Sequence, residues 1–128
     1  MTDRIVVDGR FSDEAAKVVW KWELPVRAEP LSRLIPVGSR LVHVEYGEAP
    51  MGFSGLFTLW YEVELANKDN LLSHVYQIWG TGDDTIPHSA RHIGVGIEWN
   101  EDHRNRRTSP ERVWHLYEFA SGAKVVDA

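Results

Sequence analysis

Apolar and polar residues alternate with a period of two along most of this chain, and that period leaves little choice of fold. A pleated strand sends successive side chains to opposite faces, so alternation marks a strand with one buried face. In "KVVWKWEL", Val18, Trp20, Trp22 and Leu24 share a face opposite Val19, Lys21 and Glu23. In "RLVHVEY", Val42, Val44 and Tyr46 alternate with Leu41, His43 and Glu45, and "LFTLWYEVEL" groups Phe57, Leu59, Tyr61, Val63 and Leu65. The stretches "SHVYQIWG", "RHIGVGIEW" and "RVWHLYEF" complete six strands. The last two align Ile93, Val95, Ile97 and Trp99, then Val113, His115, Tyr117 and Phe119.

Turn formers separate these runs: Pro25 and Pro30, Pro36 with Gly38, Gly47 to Gly55, Asn67 to Asn70, Gly80 to Pro87, and Asn100 to Pro110. No helical period persists beyond about three turns. Short strands joined by such turns predict a single antiparallel β-sandwich or small barrel of six to seven strands. Residues 1–16 read as an N-terminal arm, 17–119 as the β domain and 120–128 as a C-terminal tail. In the arm, Asp8-Gly9 is a hairpin turn signal, and Ser12 or Asp13 is placed to cap one helical turn over "EAAK".

A chain of 128 residues is long enough to bury one core, and 43% hydrophobic with 26% charged residues is the balance of a folded soluble domain. The absence of cysteine excludes disulfides, thiolate metal sites and cysteine nucleophiles. The mixed, charged opening "MTDRIVVDGRFSDE" does not read as a secretion signal, and no apolar run approaches the ~20 residues of a membrane span. A net charge of −5 argues against nucleic acid and anionic membranes as general partners. The expectation is a soluble cytoplasmic protein.

The run "IWGTGDD" at Ile78 to Asp84 has the glycines of a phosphate loop but not its chemistry. Such loops need a helix behind the glycines to present free N–H groups, whereas here Asp83 and Asp84 follow and Pro87 leads into another strand. The reading is a turn, with Gly80 and Gly82 supplying positive φ and Asp83 capping it. Asp83, Asp84, His88 and His92 are donors a divalent ion can use, and a metal-dependent hydrolase is the least favoured reading. A His-x-x-x-His spacing places both rings on one face only in a helix, so no metal site is assigned. His43, His74 and His115 lie on three strands, and whether they share a sheet face depends on strand order. "GFSG" at Gly52 to Gly55 lacks the spacing of a nucleophile elbow. No catalytic residue and no cofactor are assigned, and the chain reads as a non-enzyme.

The clearest binding candidate is "WNEDHRNRRTSPERVW". There Arg104, Arg106, Arg107 and Arg112 make a local positive patch flanked by Trp99 and Trp114. Guanidinium groups beside aromatic rings suit anions and protein surfaces. Met51 and Phe53 in the 47–55 loop and Phe11 in the arm are further candidate contact residues.

The ordered segments "WKWELPV", "IPVGSRLVHV", "LWYEVE", "YQIWGTGD", "HIGVG" and "VWHLYEF" resemble a small uncharacterised domain family found mainly in phage and prophage genomes. The resemblance runs from Lys17 to Phe119 and includes Pro36, Gly38, Trp60, Gly80, Gly82, Gly94, Trp114 and His115. It implies a phage origin, in a virion or the infected host's cytoplasm, and no activity. Compared with that family the chain adds its arm, a larger 47–55 loop, the Arg-rich loop and its tail, the places where contacts are grafted onto a rigid scaffold. The expected function is therefore non-catalytic: protein–protein contact as a homo-oligomer or as a head or tail accessory of a virion. The alternative is an early host-takeover or anti-defence protein that binds a host factor or nucleotide-like ligand through the Arg-rich loop.

Overall fold

A computed structural model describes residues 16–47, 55–101 and 107–119. Among these residues seven strands run in chain order: β1 (Lys17–Pro25), β2 (Leu31–Pro36), β3 (Arg40–Gly47), β4 (Leu56–Glu64), β5 (Leu71–Gly80), β6 (Arg91–Glu101) and β7 (Arg107–Glu118). All pairings are antiparallel. They form a three-stranded sheet in the order β1-β4-β3 and a four-stranded sheet in the order β2-β5-β7-β6. The two sheets make a sandwich, not a closed barrel. The hairpin and helical turn expected in the arm lie outside the described residues.

Strand β4 is the centre of the smaller sheet, and its alternation is uninterrupted. Phe57, Leu59 and Val63 are fully buried and Tyr61 nearly so, while Thr58, Trp60, Glu62 and Glu64 point the other way. Leu24 from β1 joins this row, as do Leu31 and Ile35 from β2, Tyr76 and Ile78 from β5, and Trp114 and Leu116 from β7. Each such side chain contributes roughly 1.5–3 kcal/mol by leaving water.

Strand β2 was not anticipated, because Pro30 and Pro36 read as turn residues and Arg33 interrupts the apolar row Leu31–Ile35. The prolines bracket the strand. It is an edge strand paired only with β5, where a proline at the end costs no ladder bond. Arg33 donates from Nε and Nη2 to the Glu23 carbonyl, at 3.2 and 2.9 Å, and so ties this edge to β1 of the other sheet. Gly38, with φ of 79°, makes the corner from β2 to β3.

Three alternating rows face differently from the simple expectation. In β3 the register shifts between Leu41 and His43, so Leu41 packs on the core with Val44 and Tyr46 while Val42 is exposed. In β6, beyond Ile93, which packs on the core, the glycines and not the branched residues point inward. A Cβ at Gly94 would lie 2.7 Å from Val44 Cγ1, and one at Gly96 would overlap the Tyr46 ring. Strand β3 crosses so close to β6 that only glycine fits there, and Val95, Ile97 and Trp99 are turned outward at 51%, 38% and 36% exposure. In β7 likewise the inward residues are Trp114 and Leu116, opposite the Val113–His115–Tyr117 row.

Gly96→Ala is therefore expected to lower the free energy of unfolding by about 1–3 kcal/mol, the usual cost of overpacking. Gly47→Ala, where the added methyl meets nothing within 4 Å, is expected to change it by less than about 0.5 kcal/mol. Urea denaturation of the two variants checks the contrast.

Candidate functional site

The Gly80–Asp84 segment is a turn closed by its own side chain. Asp83 Oδ2 accepts from the Gly80 amide at 3.0 Å, and the Asp83 amide donates to the Gly80 carbonyl at 3.2 Å. Gly82 has the positive φ, 79°, expected of it. Gly80 does not, which corrects the sequence reading: it is glycine because the Asp83 carboxylate occupies the space a Cβ would need. Among the described residues no three metal-ligating side chains converge, and His88 is an exposed loop residue.

Of the Arg-rich candidates, Arg104 and Arg106 lie outside the described residues, as do Phe11, Met51 and Phe53. Arg107 begins β7, and its side chain is not described. Arg112 is engaged: its guanidinium lies 4.5 Å from the centre of the Trp114 ring and 3.8 Å from Asp83 Oδ2. Together with Gly80, Thr81, Pro110, Glu111 and Val113, these two residues line a shallow cleft of about 270 Å³. Trp99 and Trp114 do not flank one site. Trp99 is on the outer face of β6, whereas Trp114 is buried on the inner face of β7.

The three histidines on separate strands do not share a face. His43 packs against Trp60 on the outer face of the three-stranded sheet, with ring centroids 5.1 Å apart. His74 points inward toward Tyr61 and Tyr76. His115 is on the outer face of the four-stranded sheet, where it meets His92: His92 Nε2 and His115 Nδ1 are 3.1 Å apart. His115 Nε2 is in turn 2.9 Å from Thr81 Oγ1.

At one end of the sandwich the interior is polar. Tyr61 of β4 and Tyr76 of β5 join the two sheets through hydroxyls 2.6 Å apart, and Tyr61 also donates to Glu118 at 3.4 Å. Glu118 lies 3.7 Å from His74 and 3.8 Å from Arg91. Burial raises the Tyr61 phenol to about 12, with the Glu118 charge adding to the effect. Burial, then the neighbouring Tyr61, pushes Tyr76 further up. Both phenols are thus neutral at pH 7 and act as a pin between sheets. Sequence reasoning missed this group, although a Glu at the same parity as Trp114 and Leu116 was a legible sign of it.

The two outer faces differ sharply in charge. On the three-stranded sheet Lys17, Lys21, Glu23, Arg40, Glu45, Glu62 and Glu64 stand among Val19, Trp60 and His43. Lys17 pairs with Glu62 at 3.2 Å and with Glu64 at 3.5 Å. The Lys17–Glu62 hydrogen bond raises the lysine and lowers the carboxylate. Among the described residues the outer face of the four-stranded sheet carries Ser32, Leu34, Ser73, Val75, Gln77, Trp79, Val113, His115, Tyr117, His92, Val95, Ile97 and Trp99, with the exposed Glu111 of β7 at its margin. Trp79 and Tyr117 pack edge to face at 5.4 Å in its middle, where Trp79 and Val75 are buried, and the exposed apolar residues are Leu34 on edge strand β2 and Val95, Ile97 and Trp99 on edge strand β6.

The model of a family described as "Domain of unknown function (DUF7352)" matches residues 15–125. No curated protein and no solved structure matches the chain.

Because the folded state holds the protons on Tyr61 and Tyr76 more tightly than the unfolded chain does, their contribution to stability is complete below about pH 10. It declines as pH rises from there through about 12. Alkaline unfolding followed by circular dichroism should show that decline. It should be shallower in the Tyr61→Phe/Tyr76→Phe double variant. Tyr76→Phe alone is expected to cost about 1–2 kcal/mol at neutral pH.

Proposed function

Because the chain belongs to the DUF7352 family, a domain of unknown function, its role is argued from its surface, and we propose that it works by protein contact, using the outer face of its four-stranded sheet. The observation that carries this reading is the segregation of charge. One sheet exposes interleaved ion pairs, while the other exposes an aliphatic and aromatic row, Val95, Ile97 and Trp99 along edge strand β6. Water solvates the first well, whereas contiguous exposed apolar surface of the second kind marks interaction sites. A flat sheet face is also self-complementary: two copies related by a two-fold axis can pack it against itself as sheets do in a sandwich. A second copy is therefore the first partner. Ile97 and Trp99 supply the exposed bulk of the face, backed by the packed Trp79–Tyr117 pair.

The sequence resemblance implies a phage origin, and the biological setting we propose within it is an accessory of a phage head or tail. There, weak contacts repeated around a symmetric particle add up through multivalency. Detection of the chain in purified particles of a phage that encodes it supports that setting, and its absence from them removes it.

Sedimentation equilibrium tests the contact itself. The mass of the wild-type protein is expected to rise toward a dimer with concentration. Ile97→Asp, which places a charge in the middle of the exposed row, is expected to weaken association about tenfold or more without changing the thermal melt. Lys21→Ala, on the opposite face, is expected to leave it unchanged. A wild-type protein that stays monomeric at every soluble concentration, or an Ile97→Asp protein that associates like wild type, overturns the reading.

A further inference from the structure

We propose that His92 and His115 form a two-imidazole chelate for a divalent first-row transition ion of the zinc, nickel or copper class. The pair lies on the same outer face as the proposed contact, but it is argued from the geometry of the two rings alone. It is built by strand register. His92 pairs with Tyr117 and Val95 with His115, and the register shift between His92 and Gly94 brings the two imidazoles together across the β6–β7 ladder. Their rings are 5.3 Å apart at 54°, with Nε2 of one and Nδ1 of the other separated by 3.1 Å.

That separation is the bite an ion requires. With metal–nitrogen bonds near 2.0–2.1 Å, two nitrogens on one ion lie about 2.9 Å apart at a right angle and about 3.3 Å apart at the tetrahedral angle. The nitrogen separation therefore already fits, and the rings need to turn so that lone pairs that face each other in the hydrogen bond meet on one ion. Imidazole is a good ligand for exactly those ions, and neither carboxylate nor thiolate is needed for two of their positions.

The second shell is also in place. When His115 Nε2 donates its proton to Thr81 Oγ1, 2.9 Å away, its Nδ1 carries the lone pair that faces His92. A hydrogen bond on the far nitrogen is the usual device for fixing a ligand histidine's tautomer and ring orientation. His92 is steadied by the Tyr117 ring, edge to face at 5.1 Å. In the neutral pair one proton sits between the facing nitrogens. An ion takes its place when His92 moves that proton to Nδ1, so neutral imidazoles bind it with no net proton release. Among the described residues no third side chain joins the pair, so water holds the remaining positions.

The test uses untagged protein with Cu²⁺ alone, followed by isothermal titration calorimetry and electron paramagnetic resonance. The expected result is one ion per chain bound through two nitrogens. His92→Gln and His115→Gln are each expected to weaken binding tenfold or more and to remove one nitrogen from the spectrum. Thr81→Val is expected to weaken it roughly tenfold, through ring orientation. His43→Gln, on the other sheet, is expected to leave it unchanged. His92 is exposed and His115 half-buried, and an unchanged melt confirms that the variants are folded. No stoichiometric binding, or binding that survives the His92→Gln/His115→Gln double change, overturns the proposal.

Discussion

The ring of Tyr46 lies directly on the backbone of Gly96, with Val44 against Gly94 one pleat further along. This close crossing of β3 over β6 sets the character of the larger sheet's outer face. Had β6 carried side chains at these positions, the sheets would stand further apart. Instead two glycines occupy the inward positions, so the bulkier half of "IGVGIEW" is delivered to the outside. Tyr46 also donates to Glu98 at 3.1 Å, which holds the ring in place at the next inward position of β6. The apolar surface is thus a by-product of tight inter-sheet packing as much as of composition.

At the other end of the sandwich the sheets are joined by polar groups. The Tyr61–Tyr76 bond crosses from one sheet to the other, and Glu118, His74 and Arg91 gather round it. Arg33 repeats the theme at the edge by donating to a backbone carbonyl of β1. Buried hydroxyls left unpaired would each cost about 1–3 kcal/mol, so mutual pairing specifies the alignment of the sheets rather than adding much net stability. Apolar contact at one end and a polar pin at the other leave little freedom to slide.

Parts of this were legible in the chain and parts were not, for identifiable reasons. The inner row of β4 could be read directly because nothing interrupts Phe57, Leu59, Tyr61 and Val63. Strand β2 could not, since Arg33 sits in the middle of its inward row and finds its partner on a strand of the other sheet. The Asp83 turn was recognisable from its residues, but the reason for Gly80 was a carboxylate folding back three positions. The clustering of Arg112 with Trp114 and Asp83 joins the start of β7 to the end of β5, which a local reading does not pair. The His92–His115 approach depends on a register shift that no spacing within either strand reveals.

Local sterics are enough to make alternating residues pleat, so the sequence by itself determined an antiparallel β architecture, the shared row of Phe57, Leu59, Tyr61 and Val63, and most of its turns. Which of two alternating rows in β6 faces inward was decided only when β3 packed across it, because that choice rests on the distance between backbones far apart in the chain. The same holds for the histidine pair and the tyrosine pin: each joins residues on different strands, and only the assembled sheets bring them within reach.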